Sequence, residues 1–148
     1  MSDSELDDFL ATTLARQLAA EEALHNGDAE PRMAMWSRND PVTVLGAARS
    51  ATGWDEVSQL FRWLASGHSD CTSYRFDLVA AGVSGDLAYT VGYEHTSASW
   101  NGDPLDPYTL RVTHVYRREN GEWKIVHRHA DFVSAPSDVG ATVETTTT

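Results

Sequence analysis

The 148-residue chain reads as an α+β domain, with helices gathered on one face of a curved antiparallel sheet. Three observations predict this. Apolar residues recur at helical spacing in the first third of the chain and again from Trp54 to Leu64. From Cys71 onward the apolar period changes to two. The segments that follow are joined by "SGD", "NGDPLDP" and "ENG", all turn chemistry, so consecutive strands are expected to be antiparallel neighbours.

Residues 3–26 read as the first helix, because Leu6, Leu10, Leu14 and Leu18 repeat every four positions with Phe9 and Leu24 near the same face. "HNGD" ends it: Gly27 suits a left-handed stop, and Asp28 can cap the short helix "AEPRMAMW", whose first turn tolerates Pro31. "SRNDP" breaks the pattern and "VTVLG" follows as a short strand. Thr52 is placed to open the third helix, with Asp55 at capping-box spacing and Gly67 closing it. Four strands are expected at about 72–83, 86–99, 108–118 and 122–132. The domain is therefore residues 1–133, followed by a polar tail, 134–148, expected to be disordered.

Composition excludes several classes of function. Net charge is −11, and the first thirty residues carry −7 of it, so a nucleic-acid partner is not expected. The acidic side of the first helix reads as a solvated surface. One cysteine, Cys71, rules out an internal disulfide framework. No apolar run approaches the ~20 residues that span a bilayer, so no membrane partner is expected. The opening "MSDSELDDFLATT" has no apolar leader core, from which a cytoplasmic location is expected.

The chemistry concentrates in "TLRVTHVYRRENGEWKIVHRHADF", Thr109 to Phe132. Its facing depends on one turn. A two-residue Asn120-Gly121 loop pairs Arg118 with Trp123 and sets His127 opposite His114. A three-residue loop that includes Glu119 pairs Arg117 with Trp123, Val115 with Ile125, Thr113 with His127 and Arg111 with His129. Two considerations favour the second. It separates Arg111 from Arg128, and it gathers Trp123, Ile125 and Val115 as an apolar floor beneath a polar mouth of Arg111, Thr113, His127, His129 and Asp131. His114, Tyr116 and Arg128 then fall on the outer face, available as an interface.

This hairpin, with "WSRNDPVTVLGAARSATGWDEV" and "SGDLAYTVGYEHT", resembles the SnoaL-like, nuclear-transport-factor-2-like superfamily, over about residues 5–133. Ketosteroid isomerase and limonene epoxide hydrolase are other members, as is the hub domain of calmodulin-dependent kinase II. The resemblance implies a cystatin-like α+β barrel: a cone-shaped sheet (a four-stranded meander plus one short strand) packed against three N-terminal helices. It implies a pocket within the cone and a homodimer formed through the sheet. It places Arg111, Thr113, His127 and His129 at the cone or its rim, and Trp36 and Asp40 at the entrance. Glu94 would approach Arg111 from the neighbouring strand.

The expected activity is binding of a small apolar or weakly acidic molecule, with Trp36, Glu94, Arg111, Thr113 and Asp131 as ligand contacts. The alternative is an isomerase, cyclase or epoxide hydrolase in which Asp40, His127 or His129 moves a proton and Arg111 stabilises developing negative charge. A third possibility is a dimeric association domain. Glu94, Arg111 and Asp131 have the residue types of an epoxide-hydrolase set, whereas no pair matches the oxyanion donors of ketosteroid isomerase. His127 and His129 with Asp131 or Glu94 have metal-ligand types. Hydrogen-bonded, half-buried histidines alternating on a strand are the simpler account of the pair, so neither metal nor cofactor is expected. Arg111 paired with Glu94 or Asp131 as a structural ion pair is the plain alternative to its functional role.

Overall fold

The computed structural model describes residues 2–133; the expected tail, 134–148, lies outside the described residues. Three helices, α1 (Ser2–Leu24), α2 (Glu30–Met35) and α3 (Trp54–Gly67), cover one face of a curved, unclosed sheet. The strands are β1 (Thr43–Leu45), β2 (Ser50–Thr52), β3 (His68–Ser84), β4 (Leu87–Trp100), β5 (Asp103–Pro104), β6 (Tyr108–Glu119) and β7 (Glu122–Phe132). Their order is β2-β1-β7-β6-β4-β3, with β5 paired to β4. The meander is as expected. The sequence reading missed β2 and β5, both short enough to be set by their partners rather than by their own pattern. It also left open how β1 joins the sheet: β1 runs parallel to β7, with Thr43 beside His127.

The first helix buries a different stripe from the one its leucines suggest. Phe9, Thr13, Gln17, Ala20, Glu21 and Leu24 are buried, whereas Leu18 is exposed. This face lies over polar side chains inside the cone, so Gln17 and Glu21 are needed where leucines would leave those groups unpaired. The third helix begins at Trp54 after Gly53, not at a Thr52 cap. Its first free N–H, that of Trp54, donates to Asp40 Oδ1 at 2.9 Å. Glu56 turns back to accept the Thr52 N–H.

The last hairpin decides the fate of the predicted site. Asn120 and Gly121 both have positive φ, 52° and 79°, as a two-residue type I′ turn requires, and Arg118 pairs with Trp123. The turn is thus the two-residue form, not the favoured three-residue one. Tyr116 then pairs with Ile125, but Val115 pairs with His127. Val126 is the extra residue of a β-bulge. The far edge of β7 is interrupted at the same place. Trp36 bridges Ile125 and Ser37 donates to the Ile125 carbonyl, after which the chain leaves the edge and returns with Thr43 beside His127. Before the bulge, Trp123 and Ile125 face the helices; after it, Arg128, Ala130 and Phe132 do. His127, His129 and Asp131 turn to the convex side.

The core is built from Phe9, Leu24, Met33, Trp36, Val57, Phe61, Tyr116 and Ile125. Trp36 is 2% exposed and stacks edge-on against Phe61 at 5.1 Å, so it is a core residue and not an entrance residue. At the other end of the cone Gly67 lies against Trp100. A Cβ on Gly67 would come within 2.4 Å of the indole ring. Gly67→Ala is therefore expected to destabilise the fold by about 1–3 kcal/mol in urea denaturation, and by much less when Trp100 is already alanine.

Candidate functional site

Between the helices and the concave face of the sheet lies a cavity of about 520 Å³, within the size range of small-molecule sites. Leu24, from the end of α1, and Leu60, Phe61 and Leu64 from α3 form one wall. Leu110, Ala130 and Phe132 from β6 and β7 form the opposite one. Trp63, Trp100, Leu105 and the β1–β2 loop, residues 46–49, complete the lining.

The polar groups lining this cavity are mostly not the ones the sequence suggested. Glu94 and Arg128 form a bidentate pair, with Arg128 Nη2 donating to Oε1 at 2.8 Å and Nη1 to Oε2 at 3.0 Å. Their side chains are 2% and 6% exposed. Tyr74 donates its hydroxyl to Glu94 Oε2 at 3.0 Å and accepts from Gln17 Nε2 at 3.0 Å. Arg128 Nη1 also lies 3.1 Å from His114 Nε2. A guanidinium can only donate, so that nitrogen accepts, His114 is neutral, and its Nδ1–H faces the Tyr116 hydroxyl at 3.4 Å. A second buried pair, Glu21–Arg32, links the first helix to α2, with Arg32 Nε donating to Glu21 Oε2 at 2.8 Å. The Arg32 guanidinium stacks over Phe61.

Burial alone would raise the Glu94 carboxyl. The charge and hydrogen bonds of Arg128 outweigh it and hold the group at about 2. Arg128 itself is pushed upward, its burial overcome by Glu94. Burial first, then Arg128, pushes His114 down to about 3. Burial also raises Tyr108 to about 12, so its hydroxyl stays protonated at the cavity wall. The two carboxylates and two guanidiniums cancel, and the interior carries no net formal charge. Glu94 is ionised and fully engaged, which makes it a poor proton acceptor and a strong organiser. Removing one member of such a pair typically costs ~3–5 kcal/mol.

Of the predicted site residues, only Glu94 lines the cavity. It pairs with Arg128, not with Arg111. Arg111 and Asp131 pair with each other on the convex face at 2.8 and 2.9 Å. The epoxide-hydrolase set is thus split between the two sides of the sheet. Thr113 sits across from His129 on that outer face, and His127 Nδ1 meets Thr43 Oγ1 at 2.7 Å. Asp40 is exposed and caps α3. His114, Tyr116 and Arg128, assigned to the outer face by the expected register, are buried inside the cone. Among the described residues no three His, Cys, Asp or Glu side chains gather as a metal site. Glu21–Arg32 joins residues on either side of a helix break, and Arg128 reaches Glu94 only because of the bulge. Neither contact has a short-range signature in the sequence. His25 and His68 each follow the last residue of a helix, where no periodic pattern marks the direction of a side chain.

The SnoaL-like domain model matches residues 15–135. The chain belongs to the SnoaL-like family. Solved structures described as nuclear-transport-factor-2-like share its fold. A candidate dehydratase of the NTF2-like family from Streptomyces avermitilis is 22% identical, with 90% of this chain and 99% of that one aligned at a TM-score of 0.69. An uncharacterised protein with a cystatin-like fold from Caulobacter vibrioides is 16% identical, with 95% and 98% aligned at 0.70. A candidate calcium/calmodulin-dependent kinase II association domain from Thiobacillus denitrificans is 20% identical, with 90% and 96% aligned at 0.61. At these identities the likeness is one of fold. No curated protein matches the chain. No helix among the described residues is long and apolar enough to cross a membrane.

The buried network makes stability pH-dependent. The folded state holds His114 below its ordinary value of 6.5, so the unfolded chain takes up that proton first. Stability present above pH 6.5 is lost as pH falls towards 3, and Glu94 adds a further loss between 4.5 and 2. Urea denaturation at pH 7 and pH 4 should differ by roughly 3 kcal/mol from His114 alone. His114→Gln keeps an acceptor for Arg128 and should remove much of that slope above pH 4.5. An unchanged slope would show that His114 is not held neutral.

Proposed function

We propose that this SnoaL-like domain, residues 1–133, binds a small, uncharged or weakly acidic, largely apolar molecule inside the cone. The cavity carries this reading: about 520 Å³, mostly apolar, with a few convergent polar groups whose formal charges cancel. A charged ligand would have to leave water for an interior whose buried charges, Glu94 with Arg128 and Glu21 with Arg32, already hold each other. The acid–base alternative is supported by neighbours described as a candidate dehydratase and a candidate ketosteroid isomerase. Asp40, His127 and His129 do not line this cavity, so such a reaction would need another proton acceptor.

A thermal-shift screen of uncharged lipophilic compounds should find stabilising ligands. Leu110→Trp, which fills the cavity, should abolish the shift, and Arg111→Ala, on the opposite face, should leave it intact. A screen without hits, or a shift lost in Arg111→Ala, would count against the cavity as the binding site.

Self-association through the convex face is the second part of the proposal. That face exposes Val79 at 62%, Tyr89 at 43% and Tyr93 at 39%, beside the Arg111–Asp131 pair. Apolar and aromatic side chains so exposed are typical of an interface. One neighbour is described as a candidate association domain. Sedimentation equilibrium should report a dimer that Tyr93→Asp dissociates; a monomer at high concentration would end this part of the reading.

A further inference from the structure

A second group of side chains meets the cavity away from the Glu94–Arg128 pair. Four aromatic rings run in sequence along its wall. Trp63 and Trp100 are 5.1 Å apart, Trp100 and His68 are 4.9 Å apart, and His68 and His25 are 4.5 Å apart, and all four line the cavity. Trp63 and Trp100 are half-buried, with ring surface left to offer. The Arg49 guanidinium lies 3.7 Å from the Trp63 ring at one end, and Tyr74 stacks beyond His25 at the other. The placement is built: α3 ends at Gly67 against the Trp100 ring, so that His68 begins β3 directly opposite Trp100.

The imidazoles at the end of this wall have unmet hydrogen-bonding capacity. His25 Nδ1 lies 2.7 Å from the Glu21 backbone carbonyl, which can only accept. Nδ1 therefore carries the proton, and in the neutral ring Nε2 is an acceptor with no partner among the described residues. His68 Nδ1 is buried and also lacks a partner among them. Burial, and then the adjacent His25, push His68 down to about 4, which keeps that ring uncharged at neutral pH. The Arg32 guanidinium, whose charge reaches His68, is held by Glu21. His25 Nε2 and the buried His68 Nδ1 thus stand side by side next to an aromatic wall, with no hydrogen-bonding group of the described residues engaged with either. A buried acceptor left unpaired costs about 1–3 kcal/mol, which a ligand bearing a donor recovers.

We propose that His25 and His68 form the hydrogen-accepting end of an aromatic subsite, bounded by Trp63 and Trp100, that takes an aromatic ring carrying a hydroxyl group. The ring packs edge-on or offset against the two indoles, and the hydroxyl donates to an imidazole nitrogen. For an ammonium-bearing ligand the buried carboxylates are already taken, Glu94 by Arg128 and Glu21 by Arg32. A phenol meets the demand for a donor while adding no charge. This inference rests on the cavity being the ligand site, and it narrows the ligand to one class.

Calorimetric titration with 2-naphthol and 2-methoxynaphthalene tests it on the full chain. The two probes share a ring system, but the ether has no donor and is the more apolar. The wild-type protein is expected to bind 2-naphthol about tenfold more tightly, the effect of one recovered hydrogen bond. That ratio should fall towards one in His68→Phe, which keeps a ring and removes the acceptors, and in His25→Phe, should the first fold poorly. Trp100→Leu should weaken both probes alike. Equal wild-type affinities, or a ratio that survives both histidine substitutions, would overturn the subsite while leaving the cavity reading intact. If neither probe binds, both readings fall.

Discussion

One extra residue in the last strand governs what this domain can do. Val126 bulges out of β7, and from that point every side chain changes face. Arg128 turns inward and His127, His129 and Asp131 turn outward. The inward arginine meets Glu94 at the base of the cone. A guanidinium there would be prohibitively expensive without a carboxylate, and the carboxylate equally so without the guanidinium. Tyr74 then donates to Glu94 and His114 accepts from Arg128, while Gln17 donates to the Tyr74 hydroxyl behind them. The bulge, the ion pair and the polar face of the first helix form one linked arrangement.

That arrangement explains why the cavity is neutral despite a chain charge of −11. The acidic side of the first helix reads in the sequence as a solvated surface, yet Glu21 on that helix is 3% exposed and pairs with Arg32. The interior therefore holds charges only as matched sets. A low-dielectric site of this kind discriminates by shape and by hydrogen-bond polarity rather than by net charge. The two halves of the cavity differ in that respect. The Glu94–Arg128 end is saturated, each partner holding the other. The His25–His68 end is open, with acceptors awaiting a donor.

The convex face received the polar residues that the interior did not. Arg111 and Asp131 satisfy each other there as a surface pair, which alone adds little to stability. The neighbouring His95 bridges Asp77 and Thr109 in the same manner. These contacts tie neighbouring strands together across a broad, partly aromatic sheet surface.

The sequence by itself determined the order of the three helices and of the longer strands, the meander and the family. Each rests on local signals: helical and twofold apolar periods, turn residues at the right spacing, and motif blocks in order. The family resemblance of "SGDLAYTVGYEHT" also singled out Glu94, as an acid approaching Arg111 from the neighbouring strand. Which partner was a tertiary matter. A twofold period carries a strand's facing only as far as the first bulge, and the bulge at Val126 coincides with a break in β7's contact with residues 36–43, far away in the chain. For the same reason the Glu21–Arg32 pair, the inward His114 and the His25–His68 pair became visible only once distant backbone segments were in place. Each depends on how elements meet, and no local pattern of residues records that.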